Sequence, residues 1–245
     1  MQNIKAIVSI VVVLATVFYT LGCAPRSDKE LADAEAALQA ARDEGALELA
    51  PEEYRAAEDL IRRAKELMAQ GKHQEARSLL EEARYKAIEA KGKALIAKAQ
   101  GRMTEEEIVR KEEELSEIKG TERPGTDIGL MDIFFDFDKF DIRPDARPVL
   151  RQNAEIIKNN SDRFRVIIEG YCDIRGTEEY NLALGQKRAD ATKAYLVGLG
   201  VSPYILEAVS RGETDKWAPG NTEYAYQQNR RAHFIVVPIS PQAYR

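Results

Sequence analysis

One stretch, Arg165 to Ala191, constrains this chain more than any other. Its run Val166-Ile167-Ile168 is β-branched and closed by Gly170, which signals a strand. A polar loop follows, Asp173-Ile174-Arg175-Gly176. Thr177 stands at the N-cap position of a helix. Glu178 and Glu179 fill its first turn, where carboxylates meet the positive end of the helix dipole. Leu184, Arg188, Ala191 and Tyr195 then recur at helical spacing, so Arg188 lies on an otherwise apolar stripe. An arginine there calls for an anion, because a half-buried guanidinium without a partner is costly. Asp173, on the loop after the strand, is the mirror case.

The rest of the chain is read outward from this unit. Its 245 residues are enough for one or two domains. With a net charge of −5 and no dominant basic block, a nucleic-acid role has little support. Cys23 and Cys172 sit in separate contexts and do not read as a disulfide framework.

At the N-terminus Lys5 precedes an apolar run, Ala6 to Tyr19, broken only by Ser9 and Thr16. That length fits the apolar core of an export signal and is short for a membrane span. Leu21-Gly22-Cys23-Ala24 follows and resembles a bacterial lipobox, which makes residues 1–22 a lipoprotein signal peptide and Cys23 the lipidated residue. An ordinary secretory signal or a short uncleaved anchor is the other reading. Acyl chains hold a protein by about 0.8 kcal/mol per buried methylene. Ala24 after the cysteine implies sorting to the outer membrane, with the protein facing the periplasm.

Residues 23–119 change composition to Ala, Glu, Lys, Arg and Leu, and read as an α-helical arm. A first helix spans Ser27 to Glu44. A second starts at Pro51, a good first-turn residue, with Tyr54, Ala57, Ile61, Ala64 and Met68 on its stripe. A third begins near His73 and carries Ala76, Leu80, Ala83, Ala87, Ala90, Ala94 and Ala97 at heptad spacing. This mostly alanine seam buries little area, so the helix needs neighbours along much of its length. Glu58–Arg62, Glu82–Lys86 and Glu89–Lys93 are expected as surface pairs worth about 0.2–0.5 kcal/mol each. A further charged helix is expected from Glu105 to Ile118. The arm reads either as a spacer or oligomerising element or as a small solvated bundle.

Residues 120–129 hold three glycines and a proline and read as a linker. Beyond them, residues 130–245 alternate strands and helices. The strands expected are Met131 to Phe137, Arg165 to Gly170, Ile205 to Ser210 and Ala232 to Val237. Helices are expected after Pro144 (with Leu150, Ala154 and Ile157 on its apolar face) and from Glu178 to Leu199. Arg211 to Asn229 is expected as a long loop. This βαβαββ order defines an α+β domain with helices on one face of a mixed sheet.

The motifs for catalysis are thin. Cys172 has no sequence-identifiable base partner, and His233 sits in an alternating strand. There is no nucleophile elbow, zinc-ligand spacing or phosphate-binding glycine loop. Asp136 to Asp141 is not a calcium loop, since the fifth and sixth positions are Phe140 and Asp141. The expectation is a binding protein, not an enzyme, with no cofactor and no metal.

Four ordered motifs carry a resemblance. They are Phe135-Asp136-Phe137-Asp138-Lys139, Glu169-Gly170-Tyr171-Cys172-Asp173 with Arg175-Gly176-Thr177-Glu178-Glu179-Tyr180-Asn181, Lys187-Arg188-Ala189, and Asn229-Arg230-Arg231-Ala232. Together they resemble the OmpA-like peptidoglycan-binding domain, in its peptidoglycan-associated lipoprotein branch. The family usually has His where this chain has Tyr171. The arm resembles the DUF4398 type of helical lipoprotein domain.

The resemblance implies a site for the zwitterionic end of diaminopimelate in the peptidoglycan stem peptide. Asp173 would accept hydrogen bonds from its ammonium, and the planar fork of Arg188 would grip its carboxylate. Asp138, Tyr171, Asn229 and Arg230 are the further contacts implied. The alternative is that Asp173 and Arg188 pair with each other. The expected function is an outer-membrane lipoprotein, anchored through Cys23, that binds peptidoglycan non-covalently and tethers membrane to wall. A protein–protein module binding a TolB-like periplasmic partner is the rival role, and an envelope hydrolase a more distant one.

Overall fold

The computed structural model describes residues 27–102 and 128–239. The signal segment with Cys23, the charged helix expected at 105–118 and all of the linker but its last two residues lie outside the described residues.

The arm is three long helices and one short turn. α1 spans Asp28–Asp43, α2 Ala46–Leu49, α3 Pro51–Ala69 and α4 His73–Gln100. Pro51 opens α3, as its fixed φ favours. The alanine seam of α4 is buried from Ala76 through Ala94. Ala76, Leu80 and Ala83 pack on Ala34, Ile61 and Ala64. Ala90 and Ala94 pack with Ala41, Ala46 and Tyr54. Among the expected surface pairs, Glu89–Lys93 forms at 3.6 Å. The other two do not: Arg62 turns to Asp59 and Glu66, Lys86 to Glu89 and Asp141, and Glu82 goes to Arg147.

The C-terminal part holds β1 (Ile133–Phe134), α5 (Ala146–Asn159), β2 (Phe164–Cys172), α6 (Glu178–Gly198), β3 (Leu206–Glu213), α7 (Glu223–Asn229) and β4 (Arg231–Pro238). The sheet order is β1-β4-β2-β3. β4 is antiparallel to β1 and β2, while β2 and β3 run parallel, so the sheet is mixed. α5 and α6 cover one face, with Leu150, Ile157, Tyr195 and Leu196 packed on Val166, Ile168 and Phe234.

Three readings need correction. The strand expected from Met131 to Phe137 pairs only at Ile133 and Phe134. Beyond Phe135 the chain leaves the sheet because its antiparallel partner runs out: the residues opposite, Arg230 and Asn229, belong to the end of α7. The third strand begins at Leu206, after a 3-10 turn over Pro203–Ile205. The loop expected from Arg211 to Asn229 contains the end of β3 and all of α7. Thr222 caps α7, its hydroxyl accepting from the Ala225 N–H at 3.2 Å.

Neither reading of the arm anticipates where it lies. α4 packs along α6, and Tyr85, Ile88, Leu95 and Ile96 join the core beneath the sheet. The approach is close because both helices present glycine. A Cβ on Gly92 would stand 1.7 Å from the Ala194 carbonyl oxygen, and one on Gly198 would stand 2.1 Å from that of Ile88.

Candidate binding cleft

The site is built where β2 ends and α6 begins. Thr177 caps α6, its hydroxyl accepting from the Tyr180 N–H at 3.2 Å. About two turns further Gly185 lies flush on Gly170 of β2: a Cβ on Gly170 would meet the Gly185 carbonyl oxygen at 1.9 Å. Arg188 follows Gly185 by three residues on the same helix face. This contact therefore brings a fully buried guanidinium down onto the strand end.

Arg188 is surrounded by neutral acceptors. Nε donates to the Lys139 carbonyl (2.9 Å), Nη1 to the Tyr171 carbonyl (2.7 Å) and Cys172 Sγ (3.4 Å), and Nη2 to the Asp136 carbonyl (3.2 Å). Among the described residues its partners include no carboxylate. Burial lowers its pKa from the ordinary arginine value, and the nearby Arg230 adds to the lowering. The same burial pushes the Cys172 thiol up to about 11, against the pull of Arg188.

Asp173 does not pair with Arg188. Its Oδ1 and Oδ2 accept from Arg175 Nε (3.0 Å) and Nη2 (2.8 Å), Oδ1 also from the Arg175 N–H (3.1 Å), and Oδ2 from Arg230 Nη1 (3.0 Å). Burial alone would push this carboxyl up, but these hydrogen bonds outweigh it and hold Asp173 below the usual carboxylate range. Arg175 is itself clamped between the rings of Phe137 (4.1 Å) and Tyr226 (4.2 Å). Arg230 also donates to Glu223 Oε1 (2.7 Å) and the Phe135 carbonyl (3.1 Å).

Asp138 forms the opposite wall. Its φ of 59° is a left-handed turn that Asp tolerates better than most residues, and its carboxylate accepts from the Tyr180 hydroxyl. Together these groups line a cleft of about 220 Å³, with Phe137, Cys172 and Leu184 as its apolar part. Three arginines face two aspartates in that lining, a formal excess of one positive charge. The arrangement suits a small group that bears a carboxylate and an ammonium on one carbon.

Of the six expected contact residues, Asp138, Asp173, Arg188 and Arg230 line the cleft, and Tyr171 and Asn229 do not. Tyr171 shares the outer sheet face with Glu169, to which its hydroxyl donates at 2.8 Å, and its ring meets Trp217 edge-on at 6.1 Å. Only its carbonyl serves the site, through Arg188. Asn229 pins the preceding loop, accepting from the Trp217 and Ala218 N–H groups at 3.2 and 3.3 Å. The sequence reading missed Arg175, Tyr180 and Asn181 as lining residues. Asn181 is buried and donates to the Arg175 carbonyl and to Glu213, both at 3.1 Å, which shapes the loop that carries Asp173.

A small mixed-sheet domain with an arginine buried at the end of its parallel pair is the class this geometry defines. Residues 134–230 match the model of the OmpA family, and that part of the chain is an OmpA-family domain. Residues 29–105 match a domain of unknown function, DUF4398. The chain is 48% identical over 98 residues to the peptidoglycan-associated lipoprotein of Pseudomonas putida, covering 40% of this chain and 58% of that protein. It is 46% identical over 100 residues to the Haemophilus influenzae protein of the same name, covering 41% and 65%. The match thus spans about three fifths of these relatives' length. A crystal structure of the peptidoglycan-associated lipoprotein from Burkholderia pseudomallei aligns with 39% identity over 47% of this chain and 98% of that one, at a TM-score of 0.43.

Proposed function

We propose that this protein is a lipid-anchored component of the outer membrane that binds peptidoglycan non-covalently and so ties membrane to wall. The observation that carries the reading is the buried Arg188, ringed by neutral acceptors beside the arginine-neutralised Asp173 in an open cleft. An incoming carboxylate supplies the counter-charge Arg188 lacks, and Asp138 stands opposite for an ammonium. The distal end of diaminopimelate offers both groups on one carbon. The relatives named peptidoglycan-associated lipoprotein support peptidoglycan as the polymer that is bound. Binding alone is asked of these residues, with no bond made or broken. One site of modest affinity suffices when many copies face one wall. The anchor is Cys23, facing the periplasm.

Co-sedimentation of residues 27–245 with purified diaminopimelate-type sacculi tests this. The wild type is expected to pellet. Arg188→Lys keeps the charge but loses the planar fork, and is expected to bind roughly tenfold more weakly. A wild type that stays in the supernatant overturns wall binding and favours a periplasmic protein partner.

A further inference from the structure

Resting on the wall-binding reading, we propose that the helical arm is a positioning element of the cleft. Tyr85 and Lys86 of α4 hold the loop that forms its acidic wall. That loop runs from Asp136 to Asp145 and is fixed at two ends. At the cleft, Arg188 takes the carbonyls of Asp136 (3.2 Å) and Lys139 (2.9 Å), and the Tyr180 hydroxyl meets Asp138. At the arm, the Ile142 N–H donates to the Tyr85 hydroxyl at 3.2 Å, and Lys86 Nζ meets Asp141 at 3.1 Å. Only Lys139, Phe140 and Asp141 lie between Asp138 and Ile142.

Tyr85 is in turn fixed from two sides. Its ring lies 5.5 Å from that of Tyr195 on α6 and 4.2 Å from the Arg147 guanidinium on α5. Arg147 reaches back to Glu82 of α4 at 2.5 Å. Both Tyr85 and Ile142 are 2% exposed, so their hydrogen bond has no water to replace it. The loop itself contains no regular structure before Ala146 and passes through the left-handed turn at Asp138. Its position relative to Arg188 therefore depends on the brace from α4. The arm thus acts on the ligand without touching it, by setting the separation of the Asp138 wall from Arg188.

The test is Tyr85→Phe, which keeps the ring and removes the hydroxyl. Tyr54→Phe makes the same change inside the arm's own core, away from the loop. Binding to sacculi and the NMR resonance of the Arg188 Nε–H, which reports its bond to Lys139, are measured in the full chain. Tyr85→Phe is expected to bind roughly three- to tenfold more weakly and to move that resonance, with Tyr54→Phe matching wild type in both. If Tyr85→Phe does not fold, Lys86→Met at the half-buried ion pair carries the same two measurements. An unmoved resonance, or a moved one with wild-type affinity, overturns the brace. A wild type that fails to bind sacculi removes the wall-binding reading instead, and the resonance alone then decides the brace.

Discussion

At the scale of single residues, Asp173 and Arg188 are both buried yet solved differently. Asp173 is held by two arginines, and Arg188 by three carbonyls and a thiol. A carboxyl whose folded pKa is depressed contributes stability that is present above its unfolded value, about 3.9. That stability is lost as pH falls through the folded value. Asp173→Asn is therefore expected to lower stability at pH 7 by about 2 kcal/mol, because Arg175 and Arg230 each lose one of their two carboxylate partners and keep only Glu223. In urea titrations the gap from wild type should close as pH drops toward about 2; a gap independent of pH would show that charge is not the cause. Both charges were legible in the sequence, one from its place on an apolar stripe and one from its loop. Tyr171 was legible as a motif position but not as a location. Alternation along β2 sets it on the face of Glu169, opposite Ile168 and Cys172, and that periodicity was available. Arg175 was not legible, since its place depends on Phe137 and Tyr226, distant in sequence.

At the scale of elements, small residues decide how closely the helices approach. A Cβ at Gly92 would run into backbone, which cannot swing aside as a side chain can. Gly92→Ala is expected to destabilise the protein by about 1–3 kcal/mol. At Gly101, where the nearest atom to an added Cβ is 3.5 Å away, alanine should be nearly neutral. Urea midpoints for the two variants check this, and equal midpoints would mean that α4 does not rest on α6. Most elements were legible from periodicity and capping. What failed lay at edges: β1 was overestimated because an aromatic run does not show that its partner strand gives way to α7 opposite Phe135. α7 was missed although Thr222-Glu223 is the same start signal read correctly at Thr177-Glu178.

At the scale of the molecule, α4 is shared. One face carries the alanine seam into the arm, and the other carries Tyr85, Ile88 and Leu95 into the core under the sheet. That second stripe, spaced by three and four through Gly92, was present in the sequence, and a helix apolar on two sides calls for two neighbours. Its partner was not legible, because nothing local says which helix will meet it. A single calorimetric transition is expected for the described parts together. Cleavage engineered between residues 103 and 127 should leave two fragments that elute as one species; separate elution would show that arm and domain stand apart. The α4–α6 contact also decides where tension goes in the proposed tether. A pull between residue 27 and the cleft enters through α1 and crosses to the domain along α4, a helix of 28 residues and about 42 Å. The packed α4–α6 joint links arm to domain without the segment 103–127. Force meets that joint first, and the covalent connection carries it only after the joint shears. Under sudden strain the envelope would gain length before the cleft has to release its hold.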